Sequence, residues 1–197
     1  MMRVSTGRFR ASRRFAFLDV VRAARSFASA FAICSLLGGA LAYADDRPVF
    51  STQATGACVA AAAANSPSLS GFPVLDCIGK SADLCMASRG GDTTIGMMEC
   101  LGKERDYWDR RLNTAYAKRL AAAKADDVRA NDGRRGGASL QSSLRAMQRA
   151  WITYRDAVCL YEQAQWLGGT GGGPATMACH MHETARQALR LEGWWSQ

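Results

Sequence analysis

Among 197 residues there are two histidines and four prolines, and none of the seven cysteines stands three positions from another. Without a C-x-x-C pair, and with both histidines close together at 180 and 182, zinc-type ligand spacing is absent. Positions i and i+2 on a helix point about 200° apart, so His180 and His182 do not share an ion, although Glu183 follows them. No G-x-S-x-G elbow occurs, and the glycine-rich stretch at 168–174 lacks the Gly-Lys-Ser/Thr of a phosphate loop. Nothing assembles a nucleophile, a base and an orienting group, so an enzyme is the weaker reading and no cofactor is expected. Valine, isoleucine and threonine are sparse and no strand-like alternation stands out, which disfavours a sheet.

Basic charge is also scarcer than it looks. The chain carries a formal +8, but residues 1–44 hold seven arginines and one aspartate, leaving residues 45–197 at only +2. A nucleic-acid footprint needs clustered cations on the folded part, so that partner class is not expected. Apolar content of 48% and charged content of 21% are those of a globular protein.

The basic start is followed by an uncharged run that ends only at Asp45, with the apolar stretch 27–41 (FASAFAICSLLGGAL) and then Ala42-Tyr43-Ala44. This is signal-peptide anatomy, and cleavage after Ala44 is expected. A membrane association would follow only if the leader stayed uncleaved, and its serines and glycines make a weak span. Ile33 before Cys34 argues against a lipidated cysteine. The expected organisation is a signal peptide over 1–44 and a single helical domain over 45–197. A periplasmic or secreted location follows.

Loss of the leader leaves Cys58, Cys77, Cys85, Cys100, Cys159 and Cys179, an even number in an exported chain, which reads as disulfides. Six cysteines allow about 15 connectivities. Turn signals fall midway between 58 and 77 (NSPSLSGFP), between 85 and 100 (after Gly90-Gly91) and between 159 and 179 (Gly169). Sequential pairing across three hairpins is therefore favoured, each bridge contributing about 3 kcal/mol in the chain-entropy model.

The composition is helical, and the expected fold is an all-α, disulfide-stapled antiparallel bundle of about five helices. The clearest segment covers 140–167, where Leu140, Leu144, Met147, Trp151, Tyr154, Val158 and Tyr161 alternate steps of four and three. That stripe is read as core packing. A second long helix should start at Thr93 or Thr94 and run to about residue 125, with Met97, Leu101, Trp108, Leu112 and Ala115 inward. Glu99 with Lys103, and Asp106 with Arg110, are spaced as solvated pairs. Glu104 lies on the inward stripe; if buried it needs a cation, for which Arg155 and Arg186 are candidates. A last helix should span 174–192, and shorter ones 54–64 and 74–86. Residues 126–139, containing NDGRRGGAS, read as a long exposed connection. Trp194-Trp195 are expected to fold back onto the bundle.

In its second half the chain resembles a known family. Residues 144–159 (LRAMQRAWITYRDAVC), then Gly168-Gly169-Thr170, Cys179, Thr184, Arg186 and Leu189, are similar to the LprI-like lysozyme inhibitors. Upstream, Met97-Met98-Glu99-Cys100, Glu104, Leu112-Asn113, Tyr116 and Leu120 match the first half of that pattern, so the resemblance covers 85–191. Residue by residue it marks Glu104, Asn113, Tyr116, Gln148, Trp151, Tyr154, Arg155, Asp156, Gly168, Gly169, Thr184 and Arg186 as family-motif positions. It implies a small exported helical protein with paired cysteines and, as partner, lysozyme or another muramidase; it does not imply catalysis. Residues 54–84, with Cys58 and Cys77, look like an added hairpin, and the 126–139 loop looks enlarged. Arg134 and Arg135 on that loop are the candidate partner-binding cations, suited to pairing with carboxylates. The alternative function is a structural or adaptor module of the cell envelope recognising another protein.

Overall fold

The computed structural model describes residues 47–65, 73–131 and 138–194. The expected leader over 1–44, Arg134, Arg135 and Trp195 therefore lie outside the described residues. What is described is all-α: helices α1 (Gln53–Asn65), α2 (Lys80–Met86), α3 (Thr94–Asn131), α4 (Leu140–Ala164) and α5 (Gly172–Glu192), with a 3-10 turn over Pro73–Cys77.

Each element begins and ends for a local reason. The alanine-rich α1 turns Thr55, Val59 and Ala62 inward at helical spacing. The helix expected over 74–86 is instead split into the 3-10 turn and α2, because Gly79 adopts φ 96° at the junction. Thr93 caps α3, its Oγ1 accepting the Gly96 N–H at 2.9 Å. The α3 helix continues to Asn131, beyond the expected residue 125. Ser139 caps α4 by accepting from Ser142 N at 3.1 Å. Asp127, on the last turns of α3, reaches over the same helix start: its Oδ1 accepts from Leu140 N at 2.8 Å and its Oδ2 from Gln141 N at 3.0 Å. These bonds hold the Asp127 carboxyl below the usual aspartate range, the Gln141 amide being the chief cause, then the Ser139 hydroxyl and the Leu140 amide. Gly193 ends α5 in the left-handed region at φ 95°, its N–H returning to Leu189 and Arg190 carbonyls.

The disulfides join Cys58 to Cys77, Cys85 to Cys100 and Cys159 to Cys179, with Cα atoms 5.5, 5.6 and 5.4 Å apart. Each clamps two consecutive elements.

The core lies along α3 and α5. Trp108, Met181, Ala185, Ala188 and Leu189 are fully buried there, with Val74 and Cys77 closing one end and Trp194 packed against its edge. Helix α5 is the central rod, burying nine of its residues. Helix α4 is peripheral, with Gln148 and Cys159 as its buried residues. The stripe read from the sequence as core is therefore corrected. Leu144, Trp151 and Val158 are half-buried, whereas Leu140, Met147, Tyr154 and Tyr161 face solvent. A peripheral helix sees neighbours over one narrow arc. Its stripe repeats every seven residues in two rows, and the α3–α5 pair covers one row only.

Glu104 is the second correction. It is completely buried, yet neither Arg155 nor Arg186 meets it: Arg155 pairs with its neighbour Asp156, and Arg186 approaches Glu183. Four neutral donors converge on the Glu104 carboxyl instead. Oε1 accepts from Thr55 Oγ1 at 2.9 Å, Gly79 N at 2.8 Å and Trp108 Nε1 at 3.1 Å, while Oε2 accepts from Ala82 N at 2.6 Å. A buried carboxyl is satisfied by donors as well as by a cation, and here backbone amides released at the Gly79 break supply them. On the solvated face Glu99 pairs with Lys103 at 2.7 Å, but Asp106 pairs with Arg105 rather than with Arg110.

Candidate functional site

Helices α4 and α5 form a hairpin whose connection, residues 165–171, is tied by short-range bonds. Trp166 N donates to Gln163 O, Leu167 N to Ala164 O, Gly169 N to Trp166 O at 2.7 Å and Gly172 N to Gly169 O. The helix ends earlier than the expected residue 167 because Leu167 and Gly168 both enter the left-handed region, at φ 48° and 85°. For glycine this is free; for leucine it is strained by about 1–2 kcal/mol. The Leu167 side chain recovers nothing by burial, being 94% exposed. Trp166 beside it is half exposed and lies across Gly171, where a Cβ would stand 2.0 Å from the indole ring. Leu160 and Tyr161, within about two helical turns of the tip, are also exposed. The Cys159–Cys179 bridge ties the two helices together just behind the tip. The outcome is a closely bonded tip whose Leu167 side chain is exposed, while Trp166 borders a cavity it shares with Met86, Met97 and Leu101.

Further along the hairpin, Met147, Trp151 and Tyr154 of α4 face Glu183, Arg186 and Arg190 of α5 across a groove of about 490 Å³. Its floor is fixed by Gln187 Nε2 donating to Gln148 Oε1 at 3.0 Å, both side chains being buried. The Arg155 guanidinium stacks 5.0 Å above the Trp151 ring while bonding Asp156. Behind it, burial holds the half-buried His180 below the usual histidine range, and the Arg155 charge adds to the effect.

The family-motif positions thus fall into separate groups. Trp151, Tyr154 and Arg186 come together at the groove with Gln148 beneath them, and Gly168 and Gly169 form the tip. Glu104 is buried beneath α1 and α2, Tyr116 packs against the core, and Thr184 is buried with its hydroxyl unpaired among the described residues. Asn113 and Asp156 lie on the exposed surface, where Asn113 bonds Asp109. Arg134 and Arg135 are outside the described residues. Sequence reasoning passed over Trp166, Leu167 and Arg190, and read Met147 as core where it borders the groove. The available signal was a Trp-Leu pair directly before Gly-Gly, where an apolar side chain has no helix left to bury it.

Among the described residues no group of three His, Cys, Asp or Glu is gathered to hold a metal ion, and no helix is long and apolar enough to cross a membrane.

Comparison with known proteins adds two findings. The family model described as "Lysozyme inhibitor LprI" matches residues 85–191. An uncharacterized 17.7 kDa protein in the puhA 5' region of Rhodobacter capsulatus is 29% identical over 119 residues, covering 60% of this chain and 74% of that protein. No solved structure matches.

Proposed function

Because the chain belongs to the lysozyme inhibitor LprI family, its match running through residues 85–191, we propose that it binds a muramidase outside the cytoplasm and blocks its cleft with the α4–α5 tip. The family is one of lysozyme inhibitors, which act on a protein partner and are not enzymes. Three disulfides favour an oxidising, extracytoplasmic compartment, consistent with a leader over 1–44.

The observation that carries the choice of element is Leu167. It is strained, it is 94% exposed, and it is held in place by a disulfide-clamped turn. Strain kept without burial marks a position held for contact. A muramidase cleft is a groove that accommodates sugar rings between two carboxyl groups. The exposed Leu167 side chain, with the half-exposed Trp166 ring beside it, suits the sugar-binding walls, and a pre-ordered tip spends little entropy on entering. Cations for the carboxylates are available from Arg134 and Arg135, the second candidate contact.

The test adds purified mature protein to lysozyme in a turbidity assay of cell-wall lysis. Slowed lysis is expected, and unchanged lysis at large molar excess ends the proposal. Leu167→Gly relieves the left-handed strain, so stability should stay within about 1 kcal/mol of the parent while inhibition weakens about tenfold or more. If that variant inhibits fully, the contact lies elsewhere, and Arg134→Ala with Arg135→Ala examines the loop. A second reading, an adaptor of the cell envelope, is favoured by the α4–α5 groove, whose aromatic and arginine lining resembles protein-binding surfaces generally.

A further inference from the structure

A larger groove, of about 610 Å³, lies between the second half of α3 and the end of α5. Its lining is unlike that of the hairpin. Arg110, Arg111, Lys118 and Arg119 all border it, against the single carboxylate of Glu192. Arg111 and Glu192 neutralise each other: the guanidinium donates to Glu192 at 2.9 and 2.7 Å and to the Tyr107 hydroxyl at 2.9 Å. Burial alone would lower the Arg111 pKa, but these bonds outweigh it and raise it. Arg119 is oriented at the rim by donating to the Leu191 carbonyl at 2.7 Å. Arg110 and Lys118 are exposed, and neither takes part in an ion pair among the described residues. Three positive charges are left over in a concave site.

Their spacing restricts what would neutralise them. Arg110 and Lys118 stand eight residues apart on one helix, which is about 12 Å. A ligand with two anionic groups at about that spacing meets both cations without drawing the two side chains together. An extended peptide rises about 3.3 Å per residue, so side chains four positions apart are separated by about 13 Å. Between the two cations the groove is floored by Ala115 and Leu191, which suit an apolar side chain. A uniform polyanion has nothing to place there, and the +2 of residues 45–197 supplies no broad field to hold one. We infer that this groove docks an extended acidic segment of a protein partner, carrying two carboxylates four residues apart around an apolar residue. The site shares no residue with the α4–α5 tip, so it stands independently of the muramidase reading.

The experiment follows the anisotropy of a fluorescein-labelled Glu-Ala-Leu-Ala-Glu peptide titrated with the full mature chain. Saturable binding that weakens with added salt is expected. Arg110→Glu with Lys118→Glu should weaken it about tenfold or more. Arg145→Glu with Arg149→Glu, an equal charge change on exposed α4 positions, should leave it within about twofold. Circular dichroism confirms that both variants fold. Three outcomes overturn the inference: no saturation at millimolar protein, equal weakening by the two double variants, or displacement by polyphosphate as effective as by unlabelled peptide.

Discussion

Glu104 gathers donors from four places along the chain, Thr55, Gly79, Ala82 and Trp108, and so fastens α1, the Gly79 break and α2 to α3 through one carboxyl group. Replacing it by glutamine keeps the size but turns one acceptor into a donor. At least one of the N–H or O–H groups then faces another donor in a fully buried site. Glu104→Gln should destabilise the fold by about 2–4 kcal/mol, measured as a shift in the urea midpoint at unchanged slope. An unchanged midpoint would show that the carboxyl is not a keystone. The residue was conspicuous in the sequence because a carboxylate interrupts an apolar stripe. Its partners were not readable, since periodicity tells which face a residue occupies and not which backbone amides a broken helix will leave over. Leu167 was missed for a related reason: its dihedral angles are set by the turn, and no hydropathy pattern reports them.

Helix boundaries were legible wherever a side chain marks them. Thr93 before α3, the glycines after α4 and Pro174 in the first turn of α5 stand where capping preferences place them. The burial of α4 was not legible, because a stripe at steps of four and three says that a helix has an apolar face without saying how much of it is covered. Asp127 was read only as part of a connection, yet it fixes the beginning of α4 from the end of α3. Its carboxyl is depressed by the folded-state bonds, so its contribution is present above the ordinary aspartate pKa of about 4 and is lost as pH falls through the lower folded value. Acidification should therefore lower the protection factors of the Leu140 and Gln141 amides, each referred to the unfolded-chain exchange rate at the same pH, before those of the α5 amides fall. Simultaneous loss at both helices would exclude a local capping role.

For the whole molecule, α5 is the rod around which the others are arranged, and α4 is held to it at one end by Cys159–Cys179. With so little of α4 buried, that bridge matters more for the hairpin than its loop length suggests. Cys159→Ser with Cys179→Ser should cost about 3 kcal/mol in thermal or urea unfolding and loosen the tip, so that inhibition falls further than global stability does. Inhibition kept in full proportion to folded protein would separate the tip from the bridge. The all-α class could be argued from composition, and the disulfides from the even cysteine count after residue 44. The order of packing could not, because α4 carries the strongest amphipathic signal and α5 the deeper burial.

All three sulfur bridges join stretches lying close together along the chain, fifteen to twenty positions apart, and none spans residues 132–137. A single cut there would leave two pieces, each internally cross-linked, held together among the described residues without a covalent bond, chiefly by the surface between α3 and the α4–α5 pair. Such halves would part in denaturant with every bridge intact, and their reassembly would become a bimolecular reaction governed by concentration.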